Sequence, residues 1–202
     1  MSSILTAIVY DLLLEPLLSR WKDRIGRWVA TEPGMTVDIC CGTGEQCRLI
    51  AKFSPVVGLD LDLAMLKYAR SRSLDIHYVC GDAGRLPFKD KAFQNANISL
   101  ALHDKVETAR MRMIEETSRI LNESGHLFLI DFEKAESTRS RIGYAFIYII
   151  EFLAGRDHFA NSRQFVKSGG LAAFTDRHHL VTDLHHSSAW GCSSIKMTHF
   201  NN

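Results

Sequence analysis

The chain has 202 residues, 46% of them hydrophobic, with 24 Lys and Arg against 23 Asp and Glu for a net charge of +1. That length and apolar content supply one full core, so a single domain with an embellishment is expected and two complete domains have little room. The balanced charge carries no like-signed run, which speaks against a nucleic-acid surface.

In chain order, the first apolar run is ILTAIVYDLLLEPLL. Asp11, Glu15 and Pro16 interrupt it and no basic residue precedes it, so it reads as neither a signal peptide nor a membrane span. Leu5 to Arg20 and Trp21 to Ala30 read as two amphipathic helices, closed by the break at Pro33-Gly34. The period then changes. Met35 to Cys40 reads as a buried strand, Gly44 to Phe53 as a helix, Pro55 to Asp60 as a strand and Leu63 to Ser71 as a helix. Asp75 to Cys80 is a third strand, Phe93 to Leu100 a fourth, Lys105 to Leu121 a long helix and Gly125 to Phe132 a fifth strand. Strands alternating with helices predict a parallel sheet with helices on both faces.

After Phe132 the pattern is irregular and helical to about His179. It includes IGYAFIYIIEFLAG, which is too short to cross a bilayer and contains Glu151. LVTDLHHSSAW and CSSIKMTHF then read as a closing pair of strands joined near Gly191. The expected layout is one domain over 1–202: N-terminal helices over 1–34, a cofactor-binding core over 35–133, a helical lid or acceptor region over 134–179, and closing strands over 180–202. Five cysteines, an odd number without disulfide-like spacing or an export signal, predict reduced thiols and a cytoplasmic protein.

In a parallel sheet, ligands bind beyond the carboxyl ends of the strands, beside the first strand. There lies VDICCGTGE, with Asp38 near the strand end and Gly42 and Gly44 making the turn into the helix. A dinucleotide fingerprint needs a third glycine where this chain has Cys47, and a P-loop needs a Lys-Ser or Lys-Thr that is absent. The second strand ends at Asp60, where a carboxylate can accept both hydroxyls of a ribose. The third ends in VCGDAGRLPF, where Asp82 suits an exocyclic amine. Three carboxylates on adjacent strand tips fit a cationic nucleoside better than a pyrophosphate, which they would repel.

DICCGTGE, VVGLDLDLAMLKYAR, VCGDAGRLPFKDKAF, ISLALHD and LNESGHLFLIDF, in that order, resemble the motifs of class I S-adenosylmethionine-dependent methyltransferases over about residues 10 to 133. The double cysteine followed by GTG, with the GDAxxLPF form, is most similar to the branch that includes ubiquinone and menaquinone C-methyltransferases. The resemblance implies an α/β fold with a Rossmann-like seven-stranded sheet, mostly parallel with a C-terminal antiparallel strand. It also implies helices on both faces, N-terminal helices and a helical lid after strand five. The implied cofactor is S-adenosyl-L-methionine, with S-adenosyl-L-homocysteine as product.

By the same resemblance, Asp38, Cys40 and the Gly42 and Gly44 backbone bind the methionine moiety, and Asp60 holds the ribose hydroxyls. Leu61 and Met65 line the adenine, Asp82 and the Ala83 amide read its edge, and Ser99 and His103 face the methyl group. Tyr10 and Asp11 match a pair carried over the cofactor by the N-terminal helix. One departure is Cys40, where the family has glycine; a small thiol fits there if its backbone is not left-handed. Another is Gln94-Asn95, at a site expected to be structural.

Competing readings attach to several of these residues. Cys40, Cys41 and Cys47 could be metal ligands, but adjacent strand residues point to opposite faces, and buried thiols packing as small hydrophobes are expected instead, with no metal. His178-His179 and His185-His186 lack carboxylate or Cys partners at ligand spacing. Tyr144 and Tyr148, four apart on one helix face, are core residues unless the helix lines a site.

An activated sulfonium asks the protein only to exclude water, align an acceptor for in-line SN2 transfer and accept a proton where one is lost, so no catalytic dyad is expected. The Arg141 to Ala154 helix, with His158, Asn161 and Arg163 after it, is expected to hold a small lipophilic or aromatic acceptor, and His103 or His158 to position or deprotonate it. The other readings are an N-methyltransferase of a small amine, a macromolecular methyltransferase, a non-catalytic S-adenosylmethionine-binding module, and, more distantly, an NAD enzyme. Partners would be the small-molecule acceptor, a second copy if the chain is not a monomer, and a membrane surface met peripherally by the lid.

Overall fold

A computed structural model describes residues 19, 21–134, 156–187 and 191–198. The expected helix over Leu5 to Arg20 falls almost wholly outside these residues, as do Tyr10, Asp11, the Arg141 to Ala154 helix, Tyr144 and Tyr148.

Helix α1 spans 21–31. It is followed by β1 Thr36–Ile39, α2 Glu45–Ile50, β2 Val56–Asp60, α3 Leu63–Arg72, β3 His77–Cys80, β4 Phe93–Ser99, α4 Glu107–Ile120 and β5 Leu121–Phe132. Helices α5 Arg156–Lys167 and α6 Gly170–Arg177 precede β6 Leu184–Ser187 and β7 Cys192–Met197. The seven strands form one sheet in the order β3-β2-β1-β4-β5-β7-β6. Only β7 runs against its neighbours, pairing antiparallel with both β5 and β6. The sheet is therefore the seven-stranded, mostly parallel one that the resemblance implies.

Alternation along each strand divides the core between the two faces. Leu127 and Leu129 of β5 join Val37, Ile39, Leu59, Ile98, Phe165 and Phe174 in one cluster. Phe128 and Ile130 join Ile25, Val29, Ile50 and Val56 in the other. Helix α1 lies on this second face through Trp28, whose ring stacks on Phe128 at 6.1 Å. Strand β1 and the second half of β5 are buried on both faces, whereas the edge strands β3 and β6 are more exposed.

Side chains and bulges decide the element ends, and α3 begins at Leu63 as expected. Asp62 caps α3 by accepting from the Ala64 and Met65 amides at 2.7 and 3.3 Å, a contact worth about 1 kcal/mol. Strand β3 begins at His77 rather than Asp75. Strand β5 follows α4 directly, and its pairing with β4 jumps from Phe93↔Leu121 to Asn95↔His126. The bulge this makes is tied across by Asn122 Nδ2 donating to Gln94 Oε1 and Gln94 Nε2 donating to the Ser124 carbonyl. Gln94 and Asn95 thus serve the sheet, as expected.

Candidate active site

The turn from β1 into α2 is built on three left-handed residues: Cys40 at φ 59°, Gly42 at φ 51° and Gly44 at φ 73°. Cys40 corrects an expectation, since the condition set for a thiol at that position was a backbone that is not left-handed. An L-residue there carries roughly 1 kcal/mol or more of strain. The turn is held open by the Cys41 amide donating to the Leu59 carbonyl at 2.9 Å and the Gly44 amide donating to the Cys41 carbonyl at 2.9 Å. A Cβ on Gly44 would sit 2.6 Å from the Tyr78 hydroxyl and 2.9 Å from Ala69 Cβ, so helix, strand and turn close together only around a glycine. A Cβ on Gly42 would meet nothing within 4 Å. Gly42 therefore presents bare backbone to open space at the strand tips.

Asp38 lies beneath this turn and is 1% exposed. One carboxylate oxygen accepts from Asn97 Nδ2 at 2.6 Å and the other from Cys47 Sγ at 3.0 Å. Burial pushes its carboxyl up to about 6, against the pull of the Cys47 and Asn97 bonds and of the Lys22 charge. Asn97 in turn exchanges contacts with Ser99, its amide lying 3.0 Å from Ser99 Oγ. A chain of polar groups runs from the β1 tip to the β4 tip through Asn97. That residue was not singled out from the sequence, although Asn95, Asn97 and Ser99 form an alternating polar stripe in a buried strand.

Asp60 ends β2 half-buried, with Oδ2 accepting from the Gly42 amide at 2.8 Å and Oδ1 from the Asp62 amide at 2.9 Å. Each oxygen keeps a lone pair, so the carboxylate can still receive two hydroxyl donors. Beside it Leu61 is 70% exposed, an apolar surface left bare at the sheet edge, and Met65 follows one turn into α3. At the tip of β3, exposed Asp82 accepts from the Gly84 amide at 2.8 Å, and Ala83 is buried. Register brings these tips together, because Asp38 pairs with Gly58 and Asp60 with Cys80.

The thiols behave as packing groups. Cys41 joins one core cluster and Cys40 packs against the other, so they diverge as expected. Burial pushes the thiols of Cys40 and Cys47 upward, away from the thiolate a metal would need. His178 and His185 meet Glu107 and Glu133 at 2.6 and 3.4 Å. A cavity of about 500 Å³ lined by Phe53, Pro55, Asp75 and Ile76 lies at the opposite, amino-terminal end of β2 and β3, away from all these groups.

The second half of the site follows β4. His103 is 1% exposed, and its Nδ1 lies 2.8 Å from Asp131 Oδ1 at the tip of β5. This buried imidazole–carboxylate pair was not expected. Asp131 shows in the sequence only as an acid ending an apolar strand, the same signal that marks Asp38 and Asp60. The His103 ring lies 4.4 Å from that of Phe132 and 5.6 Å from that of His158, edge to face. His158 Nδ1 is 3.4 Å from Asp104 Oδ2, and Asn161 Nδ2 donates to the Asp104 carbonyl at 2.8 Å. The structure thus brings His103, His158 and Asn161 together. Arg163 is turned outward over Phe159. Lys105 donates to Asp104 at 2.8 Å; burial lowers its pKa, but the Asp104 charge and bond outweigh this and hold the ammonium up.

Residues 36–125 match a family model described as a methyltransferase domain. A demethylmenaquinone methyltransferase of Thermotoga maritima is 29% identical over 130 residues, covering 60% of this chain and 56% of that one. A 2-phytyl-1,4-naphtoquinone methyltransferase of Thermosynechococcus vestitus is 33% identical over 126 residues, covering 58% and 55%. The chain spans a little over half the length of these relatives. Among solved structures, a SAM-dependent methyltransferase of Aquifex aeolicus superposes with TM-score 0.63 at 13% identity, over 87% of this chain and 88% of that one. The N-methyltransferase NodS of Bradyrhizobium japonicum superposes with TM-score 0.62 at 13% identity, over 92% and 98%. In sequence, residues 36–125 are similar to a methyltransferase domain, and in structure the chain shares the fold of these solved methyltransferases.

Proposed function

We propose that the protein is an S-adenosyl-L-methionine-dependent methyltransferase that moves a methyl group to a small lipophilic aromatic acceptor of the quinol kind. The observation that carries this reading is the open Gly42 backbone bonded to the Asp60 carboxylate, with exposed Leu61 on one side and Asp38 below.

The residues fit the cofactor by their chemistry. The Asp60 carboxylate has acceptor capacity left for a ribose diol, and Leu61 offers an adenine an apolar face. Asp82 offers acceptor oxygens to an exocyclic amine, and the bare backbone at Gly42 leaves room for the methionine moiety. Asp38, sealed under the turn, acts on that moiety through its negative field rather than by contact. Ser99 ends β4 and Met65 lies in the first turn of α3, both at the carboxyl ends of the parallel strands. When bound, the cofactor supplies an already activated methyl group, so the chain's tasks are alignment, exclusion of water and proton acceptance.

The acceptor class draws on the relatives, whose names say that they methylate demethylmenaquinone and 2-phytyl-1,4-naphtoquinone. A ring carbon of a quinone becomes a nucleophile only in the reduced, hydroxyl-bearing ring. Such an acceptor asks for a base at its hydroxyl, and His103 and His158 stand where the fourth and fifth strands end. Calorimetric titration with S-adenosylmethionine, followed by transfer of labelled methyl to reduced 2-phytyl-1,4-naphthoquinone, tests the reading. Heat from NAD and none from S-adenosylmethionine would sink it. Cofactor binding without label in the naphthoquinol, but with label in a small amine, would replace the acceptor class.

A further inference from the structure

We infer that Lys105 receives the carboxylate of the cofactor's methionine moiety and makes the site selective for a cofactor that carries one. This rests on the methyltransferase reading above and deepens it.

The need for such a group follows from the charges at the strand tips. S-adenosylmethionine carries a sulfonium, an ammonium and a carboxylate. Asp38, Asp60 and Asp82 favour the two cationic groups, and they repel the carboxylate as they would repel a pyrophosphate. The site therefore needs a cation with donors left over. Lys22, whose charge reaches Asp38, is only 8% exposed. Arg48 on α2 pairs with Glu45 and donates to the Thr43 carbonyl at 3.1 Å. Lys105 is placed differently. Its side chain is 41% exposed, and among the described residues its ammonium has Asp104 Oδ2 at 2.8 Å as partner. Two of the three N–H donors of the ammonium are left for a ligand.

The topology carries Lys105 to the same end of the sheet as the turn. Strand β4 runs beside β1 with Ile98 opposite Ile39, so the loop after β4 and the 40–44 turn leave the sheet side by side. That loop is fixed from within. The Leu102 and His103 amides donate to Asp131 Oδ2 at 2.9 and 3.2 Å, and the Lys105 amide donates to the Leu102 carbonyl at 3.2 Å. Asp104 is tied to α5 by Asn161 Nδ2, which donates to its carbonyl at 2.8 Å. The charges act on one another across the gap. Burial lifts the Cys40 thiol most, Asp60 adds to the lift and Lys105 opposes it. Burial lowers the pKa of Lys105, and Asp104, Cys40 and Asp60 together outweigh it. The ammonium therefore stands in the field of Asp60, the carboxylate proposed to hold the ribose, and the methionine moiety extends from that ribose toward Gly42.

The test compares S-adenosylmethionine with decarboxylated S-adenosylmethionine, which keeps the sulfonium and the ammonium, by calorimetric titration of the parent and of Lys105→Met. A charge-assisted hydrogen bond of this kind is worth about tenfold to a hundredfold in affinity, and the parent should prefer the carboxylated ligand by about that factor. In Lys105→Met, S-adenosylmethionine should bind about tenfold to a hundredfold more weakly and the decarboxylated form within about threefold of its parent affinity, so that the preference is largely lost. The lysine side chain reaches the surface, so the variant should keep the fold, which circular dichroism checks. A folded variant that retains the parent preference overturns the assignment, and so does an equal loss for both ligands, which would make Lys105 a support of the turn. Equal affinity of the parent for the two ligands overturns it without any variant. A parent that gives heat with neither ligand overturns the methyltransferase reading itself, and the role of Lys105 falls with it.

Discussion

Asn97 on β4 donates to the Asp38 carboxylate on β1 at 2.6 Å, and the two residues face each other in register across the centre of the sheet. Asp38 is shut off from water, and that burial raises its pKa against the pull of the Cys47 thiol, this amide and the charge of Lys22.

The first prediction is a pH dependence of stability. Asp38 titrates at about 6 in the folded chain against an ordinary 3.8. Between those values the native state holds a proton that the unfolded state has lost, so this group's contribution makes stability fall as pH rises through the window. The span corresponds to about 3 kcal/mol in order of magnitude. Urea denaturation of the parent and of Asp38→Asn at pH 4 and pH 7 should show the variant lacking that part of the loss. Equal pH slopes for the two proteins would show that Asp38 is not the group responsible.

Cofactor affinity should carry the opposite sign. A sulfonium and an ammonium near the turn favour ionised Asp38, so S-adenosylmethionine should bind more tightly as pH rises through about 6. Calorimetry across pH 5 to 8 checks this, and the dependence should vanish in Asp38→Asn.

The two turn glycines should separate stability from binding. Gly44→Ala places a Cβ 2.6 Å from the Tyr78 hydroxyl at φ 73° and should cost about 2 kcal/mol or more of stability. Gly42→Ala meets no protein atom within 4 Å and should cost about 1 kcal/mol for its backbone angle, while weakening cofactor binding by at least about tenfold. Thermal melts and calorimetry on both variants read the split. A Gly42→Ala variant with parent affinity would show that the bare backbone there faces no ligand.

Asp60→Ala should weaken S-adenosylmethionine binding by about 1.5 to 3 kcal/mol, roughly tenfold to more than a hundredfold. Part of the loss is indirect, because the same carboxylate accepts the Gly42 and Asp62 amides. Asp60→Asn keeps an acceptor for one of these amides and should fall between the parent and Asp60→Ala. A folded alanine variant with unchanged affinity removes Asp60 from the site.

Cys40 offers a test of strain. At φ 59° a β-branched side chain is a genuine outlier, so Cys40→Val should lose about 2 kcal/mol, whereas Cys40→Gly should stay within about 1 kcal/mol of the parent. Chemical denaturation of the two variants decides it, and equal losses would mean that packing rather than backbone angle sets the cost.

The sheet was legible because each buried strand is a short apolar run closed by a turn signal, and its carboxyl end could be marked by Asp38, Asp60 and Asp82. What escaped was relational. Nothing local in LIDF says that Asp131 meets His103, because their contact depends on β5 lying beside β4 and on a loop returning over it. Asn97 escaped for the same reason, as its partner is fixed by strand register. The left-handed angle of Cys40 ran against residue preference, and only the amide of Cys41, bonded to Leu59, shows why the chain turns there.

The position of β7 sets a condition on how the chain is made. Of the described strands it is the latest in sequence, yet it lies inside the sheet, between β5 and β6. A nascent chain that has emerged only through β6 therefore presents β5 as an open edge from Leu127 to Phe132, with unpaired amides and carbonyls along it, and has no neighbour for β6. The ribosome must release Met197 before the sheet can close. Until then, chaperone capture and strand addition between nascent chains compete with folding for the same edge.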